Sequence, residues 1–126
     1  MEGAVISSLY ERIGGAGAVD AAVDLFYRKV LADGRIARFF DNVNMEDQIA
    51  KQKSFLTMAF GGPNNYTGQD MRNGHKKLVE KGLNDSHVDA VLEDLESTLR
   101  TLGVDDKEVR EVLALANSVR DDVLNR

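Results

Sequence analysis

Apolar residues recur every three or four positions along almost the whole chain, and glycines separate the segments that carry this pattern. This spacing predicts amphipathic helices, because it places the apolar side chains on one helix face. The first predicted helix spans 7–13 and ends at Gly14 and Gly15, and the second spans about 18–32. No segment alternates between apolar and polar residues for long enough to predict a strand. The predicted fold class is therefore all-α.

Further helices follow in the second and third parts of the chain. A short turn that contains Phe39 and Phe40 precedes a predicted helix over about 45–60, which ends at two glycines and a proline. An irregular loop is predicted over 64–69, followed by a helix over about 70–80. Two long amphipathic helices complete the chain, the first ending at Gly103. The second is predicted to run without interruption to about residue 124, with Asp105 and Glu108 at the spacing of a capping box.

The 126 residues are enough for one domain with one core, so we expect a single domain over 1–126, with residues 1–6 as a loosely held extension. Cysteine is absent, so any metal must be held by nitrogen or oxygen. The net charge of −5, with both signs interspersed, argues against nucleic acid and anionic membranes as partners. Neither a signal peptide nor a membrane span is evident. We expect a monomeric protein of the cytoplasm.

Several polar residues fall on helix faces that are expected to point inward. At roughly 100° per residue, Gln48 and Gln52 lie on the same face as Phe55, and Tyr27 lies on the inner face of the second helix. A buried amide without a partner costs about 1–3 kcal/mol. These residues therefore indicate either a hydrogen-bond network among themselves or a bound polar ligand. Alternatively, the two amides lie at the rim and Tyr27 is an ordinary core residue.

The chain contains only two histidines, His75 and His87. His75 lies on the inward side of a short predicted helix, beside Met71 and Leu78, where it is either an ordinary core residue or a metal ligand. His87 falls in the opening turn of the next helix and is expected to be half-exposed. No metalloprotease motif and no phosphate-binding loop is present, so the sequence does not favour catalysis by side chains alone.

Five short strings, in their order and spacing, are similar to a known family. They are Leu-Tyr-Glu-Arg-Ile-Gly-Gly at 9–15, Ala-Val-Asp-Leu-Phe-Tyr at 22–27, Arg-Phe-Phe at 38–40, Phe-Leu-Thr-Met-Ala-Phe-Gly-Gly at 55–62 and Met-Arg-Asn-Gly-His-Lys-Lys-Leu-Val at 71–79. Over residues 8–125 the chain resembles the group I truncated haemoglobins. The resemblance implies a truncated globin fold, a two-over-two helical sandwich around a haem.

The resemblance also implies a role for each residue of the site. His75 matches the proximal haem ligand, and Tyr27, Gln48 and Gln52 match the distal residues that donate hydrogen bonds to a bound gas. The other expected cofactor-binding residues are Phe39, Phe40, Phe55, Met71, Arg72 and Lys51. The haem is expected to be haem b, held without a covalent bond, because the histidine of the last helix that forms such a bond in some relatives has no counterpart after His87.

Lys51 departs from relatives that have a histidine at the matching place, where the histidine coordinates iron from the distal side. Three roles are open for it. Lys51 is a surface residue whose stem covers apolar area, or it pairs with a haem propionate, or its neutral amine is the sixth iron ligand. The last role requires loss of a proton, so ligation would weaken as pH falls.

The resemblance implies reversible binding of oxygen, or of nitric oxide or carbon monoxide, as the function. The alternative is an enzyme, a nitric oxide dioxygenase that converts nitric oxide to nitrate. That activity needs a separate electron donor, because the chain has no flavin or nicotinamide motif.

Overall fold

The computed structural model describes residues 9–41, 43–62 and 68–126, without the side chains of residues 68–71, 73 and 74. The expected N-terminal extension over 1–6 lies outside the described residues, as does most of the loop predicted over 64–69. Every regular element in the described ranges is helical, as the apolar spacing predicts. None of these helices combines the length and the apolar character that a bilayer crossing requires.

The described chain forms seven α-helices and one 3₁₀ turn. In order, they are α1 (Leu9–Ile13), α2 (Ala16–Ala32), the 3₁₀ turn (Ala37–Phe40), α3 (Met45–Ala59), α4 (Gly68–Glu80), α5 (Asp85–Thr101), α6 (Asp106–Ser118) and α7 (Arg120–Val123).

The helices are arranged as two pairs, α2 with α3 and α5 with α6. The pairs pack on one another because α2 also contacts α5 and α3 also contacts α6. Fully buried aliphatic side chains from all four helices form the core, among them Val23, Val30, Leu56, Leu99 and Val112. The arrangement is the two-over-two helical sandwich that the resemblance implied. Helix α4 lies outside both pairs and packs mainly against α7.

The glycines at 14–15 and 61–62 bring the short first helix against the end of α3. The Tyr10 amide donates to the Phe60 carbonyl at 2.8 Å. A Cβ placed on Gly62 would lie 2.6 Å from the Tyr10 ring, so only glycine permits this approach. Gly15 has a φ of 71° directly before α2, a conformation that other residues rarely adopt.

The prediction of one continuous final helix is wrong, because the helix breaks at Val119. The Val119 amide donates a hydrogen bond to the Ala116 carbonyl, whereas an α-helix would pair it with the Leu115 carbonyl. The Ser118 hydroxyl donates to the Leu115 carbonyl, which competes with the regular ladder. The chain therefore turns at this point and continues as the separate helix α7.

The capping box predicted at Asp105 and Glu108 is also absent. The Asp105 side chain makes no capping hydrogen bond, and the Glu108 carboxylate instead accepts from Arg12 at 2.6 Å. A reciprocal cap occurs at the start of α5. There, Asn84 Oδ1 accepts from the Ser86 amide at 2.9 Å and His87 Nδ1 accepts from the Asn84 amide at 3.0 Å.

Two carboxyl groups meet where the end of α2 packs against α5. The Arg35 guanidinium donates two hydrogen bonds to Asp33 and holds the pKa of that carboxyl far below its ordinary value. Burial, and a hydrogen bond shared with Asp33, raise the pKa of Asp94 to about 6. Asp94 Oδ2 is buried and has no hydrogen-bond partner among the described residues. Below about pH 6 the proton that the two carboxyl groups share is therefore on Asp94.

This carboxyl pair predicts a pH-dependent stability. Because the folded-state pKa of Asp94 is raised, its contribution to stability is full below about pH 4 and is lost as pH rises through about 6. The Asp94→Asn variant stays neutral and can still donate to Asp33. We expect its free energy of unfolding in urea to exceed that of the wild type by about 1 kcal/mol at pH 7.5 and to match it at pH 4.

The matched control is Glu93→Gln, which removes an exposed carboxylate that pairs with the same Arg35. This control should show no gain in stability at either pH. An Asp94→Asn variant with the same pH profile as the wild type would contradict the assignment.

Candidate functional site

A largely apolar cavity opens to solvent between α4 and the helices of the two pairs. Its interior volume is about 110 Å³, and its mouth is open to solvent. Its apolar lining includes Phe26, Ile36, Phe39, Phe40, Phe55, Leu78, Val91, Leu92, Leu95, Val119 and Val123. Its polar lining residues are Gln52, His75 and His87. Among the described residues, three nitrogen-bearing side chains therefore line an otherwise apolar cavity.

His75 reaches the cavity from α4. The helix is amphipathic, and Leu78, three residues later, lines the same cavity because residues three apart share a helix face. The His75 side chain is partly buried. Helix α4 begins two residues earlier than predicted, at Gly68. His75 consequently lies in the second half of a helix of more than three turns.

Three aromatic rings that the sequence singled out line the cavity. Phe39 and Phe40 come from the 3₁₀ turn and Phe55 from α3. The Arg38 guanidinium covers the Phe39 ring, 4.3 Å from its centroid. These rings are part of the apolar lining.

Tyr27 and Gln48 form a hydrogen bond beside the cavity. Gln48 Nε2 donates to the Tyr27 hydroxyl oxygen at 3.1 Å. Burial raises the pKa of Tyr27 to about 12, against the lowering effect of this hydrogen bond, so the hydroxyl keeps its proton. The two side chains are not among the lining residues. The Tyr27 ring contacts Phe26 and Phe40, and both of these residues line the cavity.

Three other predicted residues lie elsewhere or are not described. Lys51 is exposed on α3 and is not among the lining residues. Arg72 is not among them either; its Nε atom donates to Asp122 Oδ1 at 2.7 Å. The side chain of Met71 lies outside the described residues.

His87 is a lining residue for which no role in the site was predicted. It was expected to be half-exposed, but it is partly buried in the opening turn of its helix. Its ring lines the cavity, and its centroid lies 4.8 Å from that of the Phe39 ring. Its Nδ1 atom accepts a hydrogen bond from the Asn84 backbone amide, so in the neutral ring the proton is on Nε2. The capping-box spacing of Asn84 and His87 is the signal that would have located this ring.

The residues present fit an iron porphyrin. A porphyrin is flat and apolar, and a globin holds its iron through one proximal imidazole. Phe39, Phe40 and Phe55 supply aromatic rings to the cavity lining, and His75 supplies an imidazole to the same lining.

Comparisons with known proteins give the family. The family model for bacterial-like globins matches residues 8–125. The group 1 truncated haemoglobin of a Synechocystis species is 52% identical and is aligned over 96% of this chain and 100% of its own length. That of Tetrahymena thermophila is 44% identical, over 94% of this chain and 96% of its own length.

A solved structure agrees with the sequence comparisons. The 2/2 haemoglobin of Synechococcus sp. PCC 7002, in the cyanomet state and with covalently attached haem, superposes with a TM-score of 0.88. The two chains are 50% identical, and the match covers 95% of this chain and 100% of that one. The chain therefore belongs to the bacterial-like globin family and, within it, to the group 1 truncated haemoglobins.

Proposed function

We propose that this chain holds haem b through His75 and binds oxygen, or another diatomic gas, reversibly. The observation that carries the proposal is that one cavity is lined by an imidazole from α4, an amide from α3 and four phenylalanine rings. Sustained consumption of nitric oxide, dependent on a separate reductase, is the result that would replace reversible binding with an enzymatic role.

When bound, the haem supplies an iron atom with a coordination position for the gas. The chain supplies the rest. A His75 nitrogen would hold the metal. Phe39, Phe40 and Phe55 would contact the porphyrin.

The distal polar residues are proposed to donate hydrogen bonds to the bound gas. The Tyr27 oxygen already accepts from Gln48, so its own O–H is available to donate. The raised pKa of Tyr27 keeps that proton in place at neutral pH. Gln52 adds an amide within the lining. Such donors stabilise partial negative charge on a bound gas and slow its release.

We expect Tyr27→Phe to raise the oxygen dissociation rate about tenfold, because one hydrogen bond of ordinary strength is lost. Carbon monoxide dissociation should change far less, since that ligand carries less negative charge. Stopped-flow measurements on both gases test the expectation. Tyr10→Phe is the matched control, because the Tyr10 ring packs against Gly62 at the end of α3. Equal oxygen dissociation rates in the wild type and Tyr27→Phe would contradict the role of the hydroxyl.

The role of His75 can be tested by removal and rescue. We expect His75→Leu to abolish stoichiometric haem uptake, and His75→Gly with added imidazole to recover the absorption spectrum. The haem is proposed to be held without a covalent bond, in contrast to the Synechococcus relative, because this sequence has no histidine after His87. An acidified organic solvent should therefore extract all the haem from the wild type. Full haem uptake by His75→Leu would overturn the proposal.

Lys51 is proposed as a displaceable sixth ligand that enters the cavity from its exposed position on α3. Its neighbour Gln52 already lines the cavity. We expect the ferric protein without added ligand to be low-spin, and Lys51→Ala to be high-spin. Acidification should produce the same change in the wild type, because an ammonium group has no lone pair.

Lys53→Ala is the matched control for this spectrum. Lys53 lies two residues further along α3 and pairs with Asp20 at 3.0 Å, so its removal should leave the spectrum unchanged. An unchanged low-spin spectrum in Lys51→Ala would exclude lysine ligation. A high-spin wild type whose haem is lost faster in Lys51→Ala would instead assign the propionate role.

A further inference from the structure

The C-terminal helix α7 is attached directly to the helix that carries His75. Asp122 Oδ1 accepts from Arg72 Nε at 2.7 Å, and the Arg126 carbonyl accepts from Arg72 Nη2 at 3.0 Å. In return, Asn125 Nδ2 donates to the Arg72 carbonyl at 3.1 Å. Both the side chain and the backbone of Arg72 are therefore held by the last residues of the chain. We call these contacts the C-terminal latch.

The latch has a defined backbone. Asn125 adopts a left-handed conformation with a φ of 56°, and the Arg126 amide donates to the Asp121 carbonyl at 2.9 Å. This is the pattern that ends a helix with a left-handed residue, a place where asparagine is tolerated. This backbone conformation directs the Asn125 side-chain amide and the Arg126 carbonyl towards α4.

The other side of α7 is fixed to the start of α5. Arg120 pairs with Asp85 at 2.9 Å and with Asp89 at 2.6 Å. Arg126 donates twice to the same Asp85, at 2.9 and 3.1 Å. The long-range ion pairs of α7 therefore connect α4 with a helix of the main sandwich.

The latch lies next to the proposed haem ligand. Arg72 precedes His75 by three residues, which places the two on neighbouring positions of one helix surface. Val119 and Val123, which flank and end α7, line the same cavity as His75. Thus α7 holds α4 through Arg72 and also forms part of the wall that His75 faces.

We propose that α7 positions the helix that carries His75, with Asp122 acting through Arg72 as the positioning residue. The inference rests on the proposed role of His75 as haem ligand. Arg72 and Asp122 are 37% and 30% exposed, so their pairing is only partly screened by solvent. Without the carboxylate, α4 loses its charge-assisted contact and the orientation of the His75 imidazole is less restricted.

The test compares Asp122→Asn with Asp121→Asn in the haem-loaded protein. Both variants remove one negative charge from α7, but the exposed Asp121 pairs with Arg126 and not with Arg72. We expect haem transfer to an excess of apomyoglobin to be roughly fivefold faster in Asp122→Asn and within twofold of the wild type in Asp121→Asn. Asp122→Glu, which retains the carboxylate, should restore most of the slow transfer.

A second measurement separates positioning from simple loss of stability. The iron–histidine stretching band of the ferrous protein should shift or broaden in Asp122→Asn and stay in place in Asp121→Asn. Combining Arg72→Gln with Asp122→Asn should add little to either single change, because the two residues act as one unit.

The outcomes distinguish the two proposals. A wild type that takes up haem through His75, with an Asp122→Asn variant whose haem transfer and stretching band are unchanged, overturns the latch alone. Lower resistance to urea in Asp122→Asn without those two changes also overturns it. A wild type whose haem uptake does not depend on His75 overturns the proposed function.

Discussion

The packing of α2 against two helices at once is the constraint on which the rest of the structure depends. Val19, Val23 and Val30 are almost completely buried, because α3 covers one part of the helix and α5 another. This double contact settles the rotation of α2 about its axis. Phe26 consequently faces the cavity, and the next residue, Tyr27, meets Gln48 on α3. The apolar core thus determines where a polar pair can form.

The polar groups of the structure divide into two kinds. Tyr27 and Gln48 are a neutral pair, and burial strengthens their role because it keeps the tyrosine protonated. The arginines that hold α7, by contrast, form a network at the surface around Asp85. Single exposed ion pairs contribute little, but a network that shares one carboxylate restricts several elements together. In the proposed function the interior pair acts on the ligand, and in the proposed latch the surface network positions a helix.

Helix α4 shows why this placement matters. It stands outside both helix pairs and borders the cavity through His75 and Leu78. Among the described residues α4 packs mainly against α7, so we infer that its attachments help to set where the imidazole lies. The C-terminal residues provide such an attachment by ordering their own backbone around Asn125. The end of the chain and the centre of the proposed chemistry are in this way physically connected.

The family resemblance grouped His75, Phe39, Phe40, Phe55 and Gln52, which all line one cavity. Apolar spacing was sufficient for most of the helices and for the glycine breaks, because it encodes which face of a helix points inward. It was not sufficient for the break at Val119, where Ser118 competes with the helix ladder. Nor could it show that Arg72 meets Asp122, or that the His87 ring, fixed by a cap at Asn84, packs against Phe39. Arg72 and Asp122 are separated by 50 positions. Periodicity determines which residues share a face, whereas only the packed fold decides which distant side chain each of those residues meets.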